Sequence, residues 1–230
     1  MKKNFLIVGG SSGIGLQLAK HYISEGHKVC VTGRVRPDLP DADFQYFDVT
    51  SDSRSLAPDA DRIVSCFETV HTLIYAAGFL QRGRIETLDD DDLGSMVNVG
   101  LLAPMMLIQR LKCRSDWPLK VMLVTSSSQY TPKELEPAYC ATKSGLGMLG
   151  ASLVRDKSLG KVLVVAPDDV DTEFWRGSNV AKEEMLDPVW VSEQIVDLSG
   201  GAFKYKCARI LNDPPRVEVL ECLNNEMARI

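Results

Sequence analysis

Tyr139 and Lys143 stand four residues apart in Tyr139-Cys140-Ala141-Thr142-Lys143. On a helix that spacing puts both side chains on one face, with Cβ atoms within about 6 Å. A free phenol ionises near pH ~10, too high for easy proton exchange at neutrality. An ammonium beside it favours the phenolate and lowers that pKa. Pro137 opens the segment, so Tyr139 falls in the first helical turn, where the helix dipole pushes the same way. Such a pair can protonate an oxygen in one direction and deprotonate it in the other. Tyr-x3-Lys also occurs by chance on surface helices, so its meaning depends on what surrounds it.

Two further segments bear on the same chemistry. Thirteen positions before Tyr139, Ser126 closes an apolar run (120–125). A hydroxyl there can donate to a developing alkoxide. The triple Ser126-Ser127-Ser128 leaves Ser127 as the alternative if the register slips by one, and a turn-forming exit as the plain reading. Near the start lies Gly9-Gly10-Ser11-Ser12-Gly13-Ile14-Gly15, between an apolar run and a helical pattern. Glycines let a backbone turn tightly and approach a pyrophosphate without a Cβ in the way. The helix beginning near Gly13 would aim free N–H groups and its positive dipole end at that phosphate. The spacing is G-x3-G-x-G, not the G-x-G-x-x-G of larger dehydrogenases.

The elements that must hold these residues follow from hydrophobic patterning. Short apolar runs at 3–8, 28–32, 44–47, 72–76, 120–125 and 161–166 read as buried strands. Helical patterns fall at 14–24, 53–67, 93–111 (with Pro104 as a kink), 138–157 and 188–198. Residues 208–211 suggest a last strand, and the chain after Pro214-Pro215 is unassigned. Strands alternating with helices, each strand nearly all apolar, imply an α/β fold: a doubly wound parallel sheet of Rossmann type with helices on both faces. Ligands then bind at the carboxyl ends of the strands. We expect one domain over residues 1–230, with a substrate loop at about 168–190.

The end of the second strand bears on nucleotide choice. An acidic residue there would hold ribose hydroxyls, whereas Val31-Thr32-Gly33-Arg34 offers a guanidinium, with Arg36 behind it. Arginine suits a 2′-phosphate, so NADP(H) is expected over NAD(H). Asp48, beside Val49, either accepts from an adenine amino group or forms the turn before Thr50.

Composition excludes other classes. A net charge of -5, from 26 basic and 31 acidic residues, gives no reason to expect a nucleic acid or an anionic membrane as partner. No apolar run approaches the ~20 residues that span a bilayer, and the apolar start is too short for a signal peptide. Six scattered cysteines without C-x-x-C are expected as reduced thiols in a cytoplasmic protein. His21, His27 and His71 fall far from the other candidates, so no metal is expected.

Taken in order, Gly9-x3-Gly13-x-Gly15, Asp48, Ala76-Ala77-Gly78, Asn98, Ser126, Tyr139-x3-Lys143 and Pro167 with Thr172 resemble the short-chain dehydrogenase/reductase family, in its compact single-domain branch. The resemblance implies an NADP(H)-dependent oxidoreductase that moves a hydride between nicotinamide and a carbonyl or alcohol, with Tyr139 as general acid/base. It implies catalytic roles for Asn98, Ser126, Tyr139 and Lys143. It implies a cofactor site from Gly9, Ser11, Ser12, Gly13, Ile14, Gly15, Arg34, Asp48, Val49, Ala76, Ala77, Gly78, Tyr139, Lys143, Pro167, Val170 and Thr172. In it Asn98 would kink the long helix and order a water next to Lys143. A homodimer or homotetramer through the long helices and a small-molecule substrate are implied too. Three departures stand out: Val8 before Gly9, Ala76 where the family has Asn, and Asp168-Asp169 where it has Gly after Pro167. The two carboxylates either perturb nicotinamide binding, select a cationic substrate or point at water. Phe174, Trp175 and Trp190 either line a substrate pocket or pack beneath the loop. The competing reading is an NADP(H)-binding redox sensor without turnover. A nucleotide-sugar epimerase would need a longer chain and another glycine spacing.

Overall fold

The structure is a computed structural model, which describes residues 2–114, 117–156, 158–175 and 184–224. Among the described residues, eight strands form one sheet in the order β3-β2-β1-β4-β5-β6-β7-β8. They are β1 (Asn4–Val8), β2 (Lys28–Gly33), β3 (Asp43–Tyr46), β4 (Thr72–Tyr75), β5 (Leu119–Val124), β6 (Leu159–Pro167), β7 (Tyr205–Asn212) and β8 (Pro215–Leu223). β1 to β7 run parallel, and β8 returns antiparallel. The helices are α1 (Gly13–Ser24), α2 (Ser53–Ile63), α3 (Asp90–Val97), α4 (Ala103–Arg114), α5 (Pro137–Leu153) and α6 (Pro188–Ser199).

The inner strands are apolar throughout because both of their faces are covered. One core layer joins Leu6, Tyr75, Leu123 and Val164 to α2, α4 and α5. The other joins Ile7, Val31, Met122 and Val165 to α1 and α6. The chain winds outward from β1 through β2 to β3, then crosses back to β4. β1 and β4 are therefore neighbours whose following segments leave toward opposite faces, and the crevice that opens there is the usual ligand position of such a sheet.

Three features differ from the sequence expectation. First, 93–111 is not one helix kinked at Pro104; the break begins at Asn98, where the family resemblance puts the kink. α3 and α4 are separated by a π-turn, Asn98–Leu102, in which the Ala103 N–H reaches back five residues to the Asn98 carbonyl. Second, β7 is longer than 208–211, and β8 follows it as a hairpin partner that the polar alternation Arg216-Val217-Glu218 did not mark as sheet. β8 is largely exposed on both faces, yet it holds Val217, Val219, Leu220 and Leu223, so an alternating apolar signal is present in a stretch where no element was expected. Third, the stretch Asp90–Arg114 is long and apolar enough to cross a membrane by length and composition. Here it is interrupted by the π-turn, and its Val99, Ala103, Leu107, Ile108 and Leu111 are core residues packed on the sheet. Within the expected substrate loop, residues 176–183 lie outside the described residues.

α5 docks tightly on β6 through Gly150, where an added Cβ would overlap Val164 Cγ2. Glycine to alanine inside a helix ordinarily gains up to about 1 kcal/mol. Overpacking at this contact reverses the sign: Gly150→Ala is expected to destabilise the protein by about 1–3 kcal/mol in urea denaturation. A neutral or stabilising result would show that α5 does not sit this close to the sheet.

Candidate active site

The glycine loop is held by the strands on either side of it. The N–H groups of Gly9 and Gly10 both donate to the Thr32 carbonyl of β2, at 3.1 and 3.0 Å. Gly9 adopts φ +81°, and a Cβ there would lie 2.6 Å from the Ala77 nitrogen. The loop thus lies directly against the Ala76-Ala77-Gly78 segment that leaves β4. Gly15, one turn into α1, packs beneath Gly9. Ser11 takes the space that Gly33 leaves open, and its hydroxyl donates to the Val35 carbonyl at 2.5 Å. That bond fastens the glycine loop to the segment carrying Arg34.

α1 begins with Ser12 at its N-cap, whose side chain caps no backbone N–H, and its first turn has no acidic residue. The free N–H groups and the dipole therefore point into the crevice unopposed. The Thr32 hydroxyl at the crevice wall is buried with no hydrogen-bond partner among the described residues. A cradle without Cβ atoms, an open helix N-terminus and an orphaned buried hydroxyl together fit a dinucleotide phosphate and its ribose.

The cleft encloses about 630 Å³ and runs from the end of β2 to the end of β6. It is lined by Gly9, Ser11, Ser12, Gly13 and Ile14 and by Arg34, Asp48 and Val49. Ala76, Ala77, Gly78, Ser126, Tyr139, Lys143, Pro167, Val170 and Thr172 complete the expected set that lines it. Gly15 and Asn98 do not line it. The Asn98 amide donates to the Ser51 carbonyl at 2.8 Å, turned toward the β3–α2 connection instead of Lys143. Asp48 Oδ1 accepts from the Thr50 N–H and hydroxyl, so the residue forms a turn while also facing the cleft. Arg36 is drawn away, with its guanidinium 5.3 Å from the Phe44 ring centre. Of the three aromatics, Phe174 and Trp175 line the cleft, while Trp190 packs with the α1/α6 layer.

Tyr139 and Lys143 are both buried at the carboxyl edge of the sheet. Lys143 Nζ lies 5.5 Å from the Tyr139 ring centre and donates to the Val124 carbonyl at 3.2 Å. The Ser126 hydroxyl faces the Tyr139 phenol and, against the larger effect of burial, lowers its pKa, while its Oγ accepts from the Ser128 N–H at 3.1 Å. Ser127 is turned into the next short helix, so the register falls on Ser126. Phe174 stands 6.0 Å from Tyr139, centre to centre, and closes one side.

The electrostatics correct one expectation. The Tyr139 phenol is pushed up, not down: burial dominates, the Ser126 hydroxyl opposes it, and the carboxylates of Glu136 and Asp169 add to the rise. Burial also lowers Lys143, to about 8. Desolvation of two groups that each ionise at a cost outweighs their mutual attraction. Sequence spacing had no access to that burial.

Two acidic residues near Tyr139 were not singled out for this role in the sequence. Glu136 precedes α5 and is almost wholly buried, 3.5 Å from Arg82 and 3.7 Å from Lys133. Its position before Pro137 was the available signal. Asp169 lies 3.7 Å from the same Lys133. Asp168 lines the cleft as well, and its Oδ2 accepts from the Asn212 N–H, tying the exit of β6 to the end of β7. Both carboxylates thus line the cleft; Asp168 also ties β6 to β7, and Asp169 pairs with Lys133.

Residues 3–183 match the short chain dehydrogenase family. The chain belongs to that family. It is 28% identical over 183 residues to the uncharacterized oxidoreductase DltE of Bacillus subtilis, covering 73% of this chain and 71% of DltE. A short-chain dehydrogenase from Sphingobium yanoikuyae in complex with NADPH superposes with a TM-score of 0.75 at 19% identity, covering 85% of this chain and 83% of that one. A 4-hydroxyisoleucine dehydrogenase complexed with NADH gives 0.73 at 20% identity, covering 86% and 91%. The protein is thus an oxidoreductase of the NAD(P)-dependent type, acting on CH-OH or C=O groups.

The lowered Lys143 pKa carries a stability consequence. Between about 8 and the ordinary lysine value near ~10.4, the unfolded chain holds a proton at this position that the folded protein has released. This group therefore makes the ligand-free protein more stable as pH rises through that window. Urea denaturation at pH 7.5 and 9.5 should show this contribution in the unaltered protein. The same comparison in Lys143→Met should lack it. Equal pH dependence in both proteins would place the lysine in water.

Proposed function

We propose that this protein is an NADP(H)-dependent oxidoreductase for a small carbonyl or alcohol substrate, with Tyr139 as the residue that exchanges the proton. The observation that carries the reading is the convergence of Ser126, Tyr139 and Lys143 at the β5/α5 end of a cleft that fits a dinucleotide. The bound nicotinamide supplies or accepts the hydride. Tyr139 gives its phenolic proton to the carbonyl oxygen in reduction and takes it back in oxidation. Ser126, beside Tyr139 at the cleft wall, orients that oxygen. Lys143, held by Val124, places an ammonium beside the phenol, where it favours the charged form that proton loss creates. Phe174 and Trp175 give one side of the cleft an aromatic wall.

The preference for NADP(H) rests on Arg34. It lines the cleft just beyond β2, with no carboxylate at the end of that strand, and the Ser11–Val35 bond holds its segment to the glycine loop. A guanidinium there can pair bidentately with a 2′-phosphate and finds only a weaker, neutral acceptor in a bare ribose. Both NADPH and NADH occur in complexes of similar fold, so the fold itself makes no choice. We include a homodimer or homotetramer in the proposal, since Val97, Met105 and Met148 expose large apolar side chains on the α3–α4 and α5 surfaces. A cytoplasmic location is supported by six free cysteines.

Paired titrations with NADPH and NADH, followed by nicotinamide fluorescence, test the cofactor. NADPH should bind at least about ten-fold more tightly, a difference of roughly 1.4 kcal/mol, and Arg34→Ala should remove the difference. Equal affinities in the unaltered protein would sink the preference. A panel of aldehydes and ketones then tests turnover. Tyr139→Phe should lose at least about a hundred-fold in rate, the ordinary worth of a positioned acid, while its NADPH affinity stays near that of the unaltered protein. Full activity in that variant would end the mechanism.

A further inference from the structure

Tyr75 ends β4, one residue before the Ala76-Ala77-Gly78 wall, and is fully buried. Its hydroxyl donates to the Val99 carbonyl at 2.6 Å. That carbonyl lacks a backbone donor for a reason written in the sequence. In the π-turn the ladder runs from residue i+5 to residue i, as in the bond from the Ala103 N–H to the Asn98 carbonyl. The next donor in this register would be residue 104, serving Val99. Residue 104 is proline, which has no N–H. A buried carbonyl without a donor is costly, and the Tyr75 hydroxyl takes the missing place.

The turn fixed in this way faces α5. A Cβ on Gly100 would lie 2.5 Å from Thr142 Cβ, and a Cβ on Gly145 would lie 2.8 Å from Leu101 Cδ2. The π-turn and α5 thus interlock through one glycine on each side, in contact with the residue just before Lys143. On the opposite flank, the Asn98 amide ties the turn to Ser51. Close-packed contacts of this kind transmit small displacements instead of absorbing them.

We propose that Tyr75 is a positioning residue: its hydroxyl replaces the N–H that Pro104 lacks, locks the π-turn, and so sets the place of Lys143 on α5. It touches neither cleft nor substrate. The proposal rests on the assignment of Tyr139 and Lys143 as the proton-transfer pair.

Three variants test it: Tyr75→Phe, Pro104→Ala and the double variant. Amide hydrogen exchange is followed in peptides covering 98–104 and 139–146, together with kinetics on NADPH and the panel carbonyl that the unaltered protein turns over fastest. Tyr75→Phe should speed exchange in both peptides by about ten-fold or more, since local opening reads out local stability. It should lower kcat by about ten-fold with KM for NADPH unchanged, the pattern of a misplaced catalytic group. Pro104→Ala alone should match the unaltered protein. The double variant should recover both readouts to within about three-fold, because losing the proline returns a backbone N–H to the Val99 carbonyl. Unchanged exchange over 139–146 in Tyr75→Phe overturns the proposal, as does a loss that the double variant fails to recover. If Tyr75→Phe does not fold, the double variant is expected to fold, and its failure also overturns the proposal. Inactivity of the unaltered protein on every carbonyl would instead remove the catalytic reading, and the exchange data would still decide the clamp.

Discussion

The backbone of Gly9 lies against the backbone of Ala77 with no room for a Cβ between them. This approach joins the exit of β1 to the exit of β4, the two strands between which the winding of the sheet reverses. Everything at the site is measured from that junction. The first turn of α1 points into the crevice because the loop turns tightly at Gly9. The segment carrying Arg34 is set by Ser11, which fits only because Gly33 has no side chain. At the other side of the junction, β4 leads through Tyr75 to the π-turn and from there to α5. A side chain at Gly9 would push apart the nucleotide end and the proton-transfer end together.

At the proton-transfer end, buried groups sit beside two carboxylates. Tyr139 and Lys143 are buried, and the Glu136 and Asp169 carboxylates oppose ionisation of the phenol. In this state the site holds its proton on Tyr139. That suits a residue poised to protonate a carbonyl oxygen, and a phenolate would require further positive charge nearby. Lys133 lies between the two carboxylates, and Arg82 reaches Glu136 from the other side. The substitution of Asp168-Asp169 for a glycine turn thereby divides into two tasks: Asp168 joins β6 to β7, and Asp169 sits in the electrostatic surroundings of Tyr139.

β8 is the main departure in architecture. It extends the sheet past β7 by an antiparallel strand that is largely exposed on both faces. β7 is thereby a paired inner strand, and Asn212 at its end meets Asp168 and the Glu184 carbonyl. The base of the segment after β6 is fastened to the sheet through this hairpin, so the unusual end of the chain bears on the site even though no residue of β8 lines the cleft.

The sequence by itself determined the fold class, the strand and helix order through β6, and most of the cleft. It did so because those features are local in their cause. A buried parallel strand must be apolar along its whole length, a phosphate loop must lack Cβ atoms, and Tyr-x3-Lys must share a helix face. Only the tertiary structure decided the rest. The sign of the Tyr139 shift depends on burial, which arises from elements far apart in the chain. The use of Asp168 depends on β7, forty-four residues away, and Arg36 was drawn from the cleft by Phe44. β8 carries Val217, Val219 and Leu223 in alternation, but it opens on Pro214-Pro215, and only the pairing with β7 shows the segment to be sheet. The kink lies at Asn98–Leu102, where the resemblance puts it and not at Pro104, because the missing N–H of a proline is felt four or five residues upstream; that the Tyr75 hydroxyl of β4 answers it was decided by the tertiary structure.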